Sequence, residues 1–203
     1  MVLGGIELAI RSRAMPGQVD SGDAGLALPA PGGVLLLVVD GLGHGTAAAD
    51  AARLALAVVE RHGRESLEAI FKRCHEALRS GRGVAMSAAL VTPALGTLTW
   101  AGVGNVEGLV AKPDPGSQPG WKRQRLITRA GVVGYALPPI RPASIDFSPG
   151  SYLLFATDGL EHDFGDEVVP GLAAGELAGR ALERHWRGSD DGLVLVAQHQ
   201  EAA

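Results

Sequence analysis

Apolar and polar positions alternate in two rhythms along the first part of the chain. The N-terminal stretch GGIELAIRSR predicts a first strand and Ala24 to Leu28 a second, closed by the turn-forming PAPGG. Val34 to Val39, VLLLVV, is an unbroken run of six aliphatic residues that predicts a short buried strand, and it ends directly on Asp40 and the glycine-rich GLGHG. TAAADAARLALAVVERHG is rich in alanine and leucine, which favour a helix, and it stops at Gly63 as a helix with a glycine cap does. A second helix is predicted from Ser66 to Ser80. There Leu67, Ile70, Phe71, Cys74 and Leu78 recur at the i, i+3, i+4, i+7 spacing of one buried face.

From Val84 onward the rhythm shortens. VAMSAALVT, GTLTWAGVG and NVEGLVAK are strand-like runs separated by tight turns and predict a meander. Lys112 to Gly120, KPDPGSQPG, has three prolines and two glycines in nine residues and predicts a loop, with WKRQRLIT returning as a strand. SIDF, a turn at Pro149-Gly150 and SYLLFATDG predict a further hairpin. Gly171 to Trp186 predicts a helix and GLVLVAQHQ a closing strand. Strands and helices thus come in runs rather than in strict alternation, which argues for an α+β architecture with largely antiparallel sheets. With 203 residues, no internal repeat and no linker, the expectation is a single domain over 1–203.

Composition narrows the function classes. A formal charge of -4, a pI near 5.8 and only short basic clusters argue against a nucleic-acid partner. The longest aliphatic run is far below the roughly 18 residues a membrane span needs, so no membrane association is expected. The N-terminus has Glu7 inside its apolar part and its arginines after it, the wrong order for a secretory signal, so a cytoplasmic location is expected. Cys74 is the only cysteine, which leaves no intrachain disulfide. Its place on the buried helix face marks a core thiol rather than a nucleophile, and His75 is turned about 100° away from it around the helix.

The chemistry gathers at strand ends. GLGHG after a strand resembles a phosphate-binding turn, but the third glycine of the dinucleotide fingerprint is misplaced. The acid about 20 residues on is Glu60, inside the helix, and no lysine follows as a P-loop would need. Taken alone, Asp40 fits equally well as a plain helix cap. Beside it, however, SGD at Ser21 to Asp23, TDG at Thr157 to Gly159 and SDDG at Ser189 to Gly192 also place acids at strand borders. Carboxylates brought together at sheet ends repel one another, and a divalent cation removes that problem. Ligation by oxygen alone suits Mg²⁺ or Mn²⁺, whereas zinc would call for histidine and cysteine ligands.

SGD, then DGLGHG, TDGL and a DD pair ahead of the final strand, with GVGN at Gly102 to Asn105 between them, resemble the PPM family of metal-dependent serine/threonine protein phosphatases. The match is to its bacterial branch of sporulation and stress regulators. The resemblance covers nearly the whole chain. It implies two stacked antiparallel β-sheets flanked by α-helices, an αββα sandwich, with two Mn²⁺ or Mg²⁺ ions at one end. A water bridging the ions would attack phosphorus directly. It implies that Asp40 bridges both ions, that Gly41 gives its carbonyl to one, that Asp158 and Asp190 bind the other, and that Asp23 lies beside the first. Asp190 is favoured as the ligand of its pair, with Asp191 behind it in support; a plain turn before the last strand is the alternative for both. Asp40 and Asp158 carry the catalytic assignment, and Arg13 takes the place where the family can put a phosphate-binding group, a solvated arginine at the end of the first strand being its alternative.

This sequence departs from the family pattern at two places. Leu42 stands where many members carry a histidine proposed as general acid, which leaves leaving-group protonation to metal-bound water. His44 is then a capping or packing residue as readily as a catalytic one. Gly192-Leu193 replaces the usual small residue and threonine or serine. Lys122, Arg123 and Arg125 fit either a solvent-facing strand edge or a surface that steers an acidic partner. A stand-alone domain of this kind implies phosphorylated STAS-domain proteins of the stressosome as substrates. The alternative is a catalytically weak phosphoprotein-binding module of the same fold.

Overall fold

The computed structural model describes residues 1–114, 116, 120–169 and 171–200. The strands are β1 (Val2–Leu3), β2 (Ile6–Arg13), β3 (Asp23–Ala30), β4 (Gly33–Gly41), β5 (Val84–Thr92), β6 (Thr97–Val103), β7 (Glu107–Pro113), β8 (Trp121–Leu126), β9 (Ala143–Asp146), β10 (Tyr152–Ala156) and β11 (Gly192–His199). The helices are α1 (Thr46–His62), α2 (Leu67–Leu78) and α3 (Ala174–His185). Six strands in the order β1-β2-β11-β10-β7-β8 form one sheet and five in the order β3-β4-β5-β6-β9 form the other. Every pairing between these strands is antiparallel. Two antiparallel sheets with helices outside them make the α+β sandwich that the resemblance implies.

The period-2 rule explains why the aliphatic run of β4 is continuous. Val34, Leu36 and Val38 face the core between the sheets, where they meet Leu153 and Phe155 of β10 and Leu195 of β11. Leu35, Leu37 and Val39 face the other way, onto Ala52, Ala55 and Val59 of α1 and Ile70, Phe71 and Cys74 of α2. A strand covered on both faces has no position for a polar side chain until it leaves the sheet. β10 and β11 repeat the arrangement, sending Tyr152, Leu154, Val194 and Val196 outward onto Leu177, Ala178 and Ala181 of α3. Truncating a fully buried leucine such as Leu36 to alanine costs about 2–5 kcal/mol by lost transfer and cavity terms.

α1 and α2 form where periodicity predicts them. Ser66 caps α2 by accepting the Ala69 N–H at 3.3 Å, and Gly63 follows the end of α1. Gly4 and Gly5 take positive φ and turn β1 into β2, so the predicted first strand begins at Ile6. Part of the predicted loop Lys112 to Gly120 lies outside the described residues.

Two predicted pairings do not occur. β9 and β10 are not a hairpin: β9 pairs with β6 in the five-stranded sheet, while β10 lies between β7 and β11 in the other. The chain crosses the sandwich between them, and Phe147 is buried in the central core at the crossing. The predicted meander breaks in the same way at GVGN, because β6 belongs to one sheet and β7 to the other. Val106 is buried at that crossing, and its carbonyl accepts the Ser87 hydroxyl at 2.8 Å. Gly104 bends with φ +92 where a Cβ would stand 2.5 Å from that of Ala85. Burying an aromatic or branched residue between the sheets outweighs the local preference for pairing with the sequence neighbour. Among the described residues no helix is long and apolar enough to cross a membrane.

Candidate metal centre at one end of the sandwich

Antiparallel order places the ends of β4 and β10 beside the beginnings of β3 and β11, and this brings the acids together. Asp23 and Asp40 are cross-strand partners in the β3–β4 ladder. Asp158 follows β10, and Asp190 and Asp191 precede β11. Asn105, delivered by the β6–β7 crossing, joins the two sheets: its side-chain amide donates to Asp40 Oδ2 at 2.9 Å and to Asp158 Oδ2 at 2.6 Å. Asp23 and Asp191 are buried, Asp40 is half-buried, and Asp158 and Asp190 face solvent.

The donors around these carboxylates are neutral. Asp23 Oδ2 accepts the Thr157 hydroxyl at 2.7 Å. Asp191 accepts the Met15 N–H on Oδ1 at 2.7 Å and the Gly22 N–H on Oδ2 at 2.6 Å, which fastens the 14–22 loop to the start of β11. Asp190 Oδ1 accepts the N–H of Asp191 at 2.8 Å. Among the described residues no lysine, arginine or histidine forms an ion pair with any of the five acids. Burial therefore pushes the Asp23 carboxyl up to about 8, with the charges of Asp40, Asp191 and Asp158 adding to it against the Thr157 hydrogen bond. Burial likewise raises Asp40 to about 7, with Asp158 the strongest neighbouring charge. Acids that resist ionisation through burial and mutual repulsion, with only neutral donors around them, are the expected signature of a cation site. Their oxygen-only chemistry fits Mg²⁺ or Mn²⁺.

The glycines of the motifs serve packing. A Cβ on Gly41 would lie 2.3 Å from the Ala48 carbonyl oxygen of α1, and one on Gly159 would lie 1.7 Å from the carbonyl oxygen of Asp191. Close approach of α1 and of the β11 entry thus requires glycine at both positions. Asp40 does not cap α1. The cap position is Gly45, with φ +74 and no side-chain hydrogen bond, and His44 is an exposed residue of the turn before it. Arg13 ends β2 opposite Gly192, with its guanidinium 5.3 Å above the Trp186 ring. Trp186 in turn donates from Nε1 to the Asp190 carbonyl at 2.9 Å.

Arg123 and Arg125 of the basic strand segment are ion-paired at the sheet edge. β8 is the outer strand of its sheet, with Arg123 on Asp166 at 3.1 Å and Arg125 on Glu107 at 2.7 Å. His162 pairs with Glu107 as well. Burial pushes the Cys74 thiol up to about 12, and it faces the Ala55 carbonyl at 3.9 Å, as a core thiol should. Sequence reasoning overlooked Asn105 and Thr157 as individual residues. Their signals are the last residue of GVGN and the residue before the TDG acid, and neither has meaning until the strands are paired.

A second compact group of ligand atoms, Glu161, Asp163 and His185, lies within 4.8 Å on the α3 side of the molecule. Its His185 Nδ1 to Asp163 Oδ1 distance is 2.8 Å, and Nε2 reaches Glu167 at 3.3 Å. The first is a hydrogen-bond length, shorter than the roughly 3.3 Å between two ligands held tetrahedrally at about 2 Å from one ion.

The stacked sheets and the acid cluster at their end define the class: a PP2C-like phosphatase fold of the PPM type. Residues 30–199 match the family model for Stage II sporulation protein E (SpoIIE), and the chain belongs to that family. The phosphoserine phosphatase RsbX of Bacillus subtilis (strain 168) is 30% identical over 164 residues, covering 80% of this chain and 79% of RsbX. A chain solved in work on the bacterial stressosome, a modular system adapted to control secondary messenger signaling, is 30% identical with a TM-score of 0.85. That match covers 95% of this chain and 99% of the other. RsbX solved with magnesium has the same fold at a TM-score of 0.85 and 21% identity, covering 98% and 97% of the two chains.

Proposed function

We propose that residues 1–203 act as one metal-dependent phosphoserine/phosphothreonine protein phosphatase domain. The observation that carries this reading is the group of carboxylates at the sheet ends, which among the described residues meet neutral donors and no basic side chain. In this reading Asp40 would hold both Mn²⁺ or Mg²⁺ ions and Gly41 would offer its carbonyl to one, with Asp23 beside it. Asp158 and the exposed Asp190 serve the other ion, and Asp191 supports them from behind. When bound, two such ions supply a water of lowered pKa for direct attack on phosphorus and neutralise charge on the phosphoryl oxygens.

The chain's own residues organise this centre. Asn105 fixes the separation of Asp40 and Asp158 across the two sheets. Thr157 orients Asp23, and both oxygens of Asp191 are committed to backbone N–H groups, so it acts by holding the loop before Asp23. Arg13, resting on Trp186, takes the phosphate-binding role. The substrates are phosphorylated STAS-domain proteins of the stressosome in the cytoplasm, a reading supported by the likeness to RsbX and to the stressosome-related chain.

The test is hydrolysis of p-nitrophenyl phosphate and of a phosphorylated STAS-domain protein with and without Mn²⁺. Metal-dependent release of phosphate from both, lost in Asp40→Asn and in Asp158→Asn, is expected. Undiminished activity in both variants sinks the reading. Metal-dependent binding of the phosphoprotein without turnover would instead establish a binding module.

A further inference from the structure

The surface around the acid cluster differs from the rest of the molecule. Val19, Ile127 and Tyr135 are 98%, 86% and 87% exposed, more than any other large apolar side chain among the described residues. Each belongs to a segment hydrogen-bonded to the surroundings of the acid cluster. Val19 lies in the loop that Met15 and Gly22 fasten to Asp191. Ile127 follows β8 directly, and its neighbour Thr128 donates to the Gly104 carbonyl at 2.7 Å, one residue from Asn105. Tyr135 stands on a tight turn whose buried Val133 pairs with Val84 at the start of β5. The adjoining Gly83 carbonyl accepts the N–H of Leu42, two residues after Asp40.

Arginines stand among these apolar groups. Arg82 donates to the Leu42 carbonyl at 2.8 Å. The Arg129 N–H donates to the Gly102 carbonyl at 2.9 Å, and its own carbonyl accepts the Gly104 N–H at 2.9 Å. The Arg187 N–H donates to the Gly159 carbonyl at 2.9 Å, next to Asp158. All three side chains are exposed, and none pairs with a carboxylate among the described residues, unlike Arg123 and Arg125 on the β8 edge. Isolated exposed apolar residues are ordinary, but apolar and aromatic groups interleaved with arginine are the composition of protein-binding hot spots. A small phosphate ester needs no such rim.

The geometry points to this end face as a docking surface for a phosphoprotein whose phosphorylated residue is flanked by acidic and apolar side chains. Val19, Ile127 and Tyr135 anchor the apolar flank, and Arg82, Arg129 and Arg187 receive carboxylates around the acid cluster. Charge complementarity and continuity with the acid cluster select this occupant over a second copy of the chain. The proposal deepens the phosphatase reading and rests on it.

The test compares three probes: p-nitrophenyl phosphate, a phosphoserine peptide with Asp/Glu and Leu flanks, and the same peptide with Lys and Ser flanks. Wild type with Mn²⁺ is expected to prefer the acidic-apolar peptide, with a preference that falls as salt rises. Arg82→Glu combined with Arg129→Glu, and separately Ile127→Ser combined with Tyr135→Ala, should each reduce that preference about tenfold or more. A fluorescent phosphonate version of the peptide, read by anisotropy, should lose affinity in parallel. Preference and affinity within about twofold of wild type in both double variants would overturn the proposal. So would conversion of a dimer to a monomer by Tyr135→Ala, which would assign the face to self-association. If wild type hydrolyses nothing but binds the phosphonate peptide through these residues, the docking face stands and the hydrolytic reading falls.

Discussion

Two acidic regions of this molecule are treated in opposite ways. On β7, β8 and the short segment Phe164–Glu167, each carboxylate meets a basic side chain from the same chain: Glu107 has Arg125 and His162, Asp166 has Arg123, and Glu167 has Arg184. At the sheet ends Asp23, Asp40, Asp158, Asp190 and Asp191 meet only amide, hydroxyl and backbone donors. A paired acid is electrostatically complete and has no need of an outside ion. An unpaired cluster is complete only with one, so the distribution of arginines sets the proposed metal end of the sandwich apart more clearly than the distribution of aspartates.

The largest effect should separate the two regions outright. Asp40→Asn is expected to lower metal-dependent turnover about a thousandfold or more, an effect of several kcal/mol, and chelation of the metal should do the same to wild type. Glu107→Gln, on the paired side, should change turnover only a few-fold. Steady-state kinetics on p-nitrophenyl phosphate with Mn²⁺ makes the comparison. Similar losses in Asp40→Asn and Glu107→Gln would erase the distinction.

Next in size is Asn105→Ala, which removes the amide shared by Asp40 and Asp158. Titration calorimetry should show Mn²⁺ binding weakened about 10–100-fold, with Asn105→Gln recovering part of the loss.

The pH dependence of the metal-free protein sharpens the contrast further. Asp23 is raised from 3.8 to about 8 and Asp40 to about 7, so the folded chain keeps protons that the unfolded chain has already released. The stability from this pair is therefore fully present below about pH 4 and is lost as pH rises through 7 to 8. In the metal-free protein Asp23→Asn should raise the melting temperature at pH 8, by about 2–4 °C per kcal/mol of relieved repulsion, and leave it unchanged near pH 4. Differential scanning fluorimetry across that range checks it. Metal affinity should rise over the same interval, because binding displaces the protons.

The smallest effect belongs to the paired edge. Arg125→Ala breaks an ion pair whose arginine is 55% exposed and should cost less than about 1 kcal/mol in urea unfolding.

Much of the fold is legible in the order of residues alone. α1 and α2 are visible there because helix signals are local: alanine content, Gly63, the Ser66 cap and the heptad-like spacing of Leu67 to Leu78 all lie within a few residues of their effect. β4 is visible because a strand covered on both faces leaves no polar position between Val34 and Val39. The pairing of β9 is not, since Pro149-Gly150 looks the same whether it closes a hairpin or joins two sheets. Only the burial of Phe147 distinguishes the two.

The sequence by itself determined that acids stand at the ends of aliphatic strands, because each strand's run of apolar residues stops where the chain leaves the core. The tertiary structure decided that those ends meet. Asp23 faces Asp40 through ladder register, and Asp158 is tied to Asp40 by Asn105, carried across the sandwich by the turn at GVGN. It also decided that, among the described residues, no arginine answers the five acids while Arg123 and Arg125 answer others. Charge pairing acts over a few ångströms in space, and positions 40, 105 and 158 acquire that closeness only when both sheets have formed.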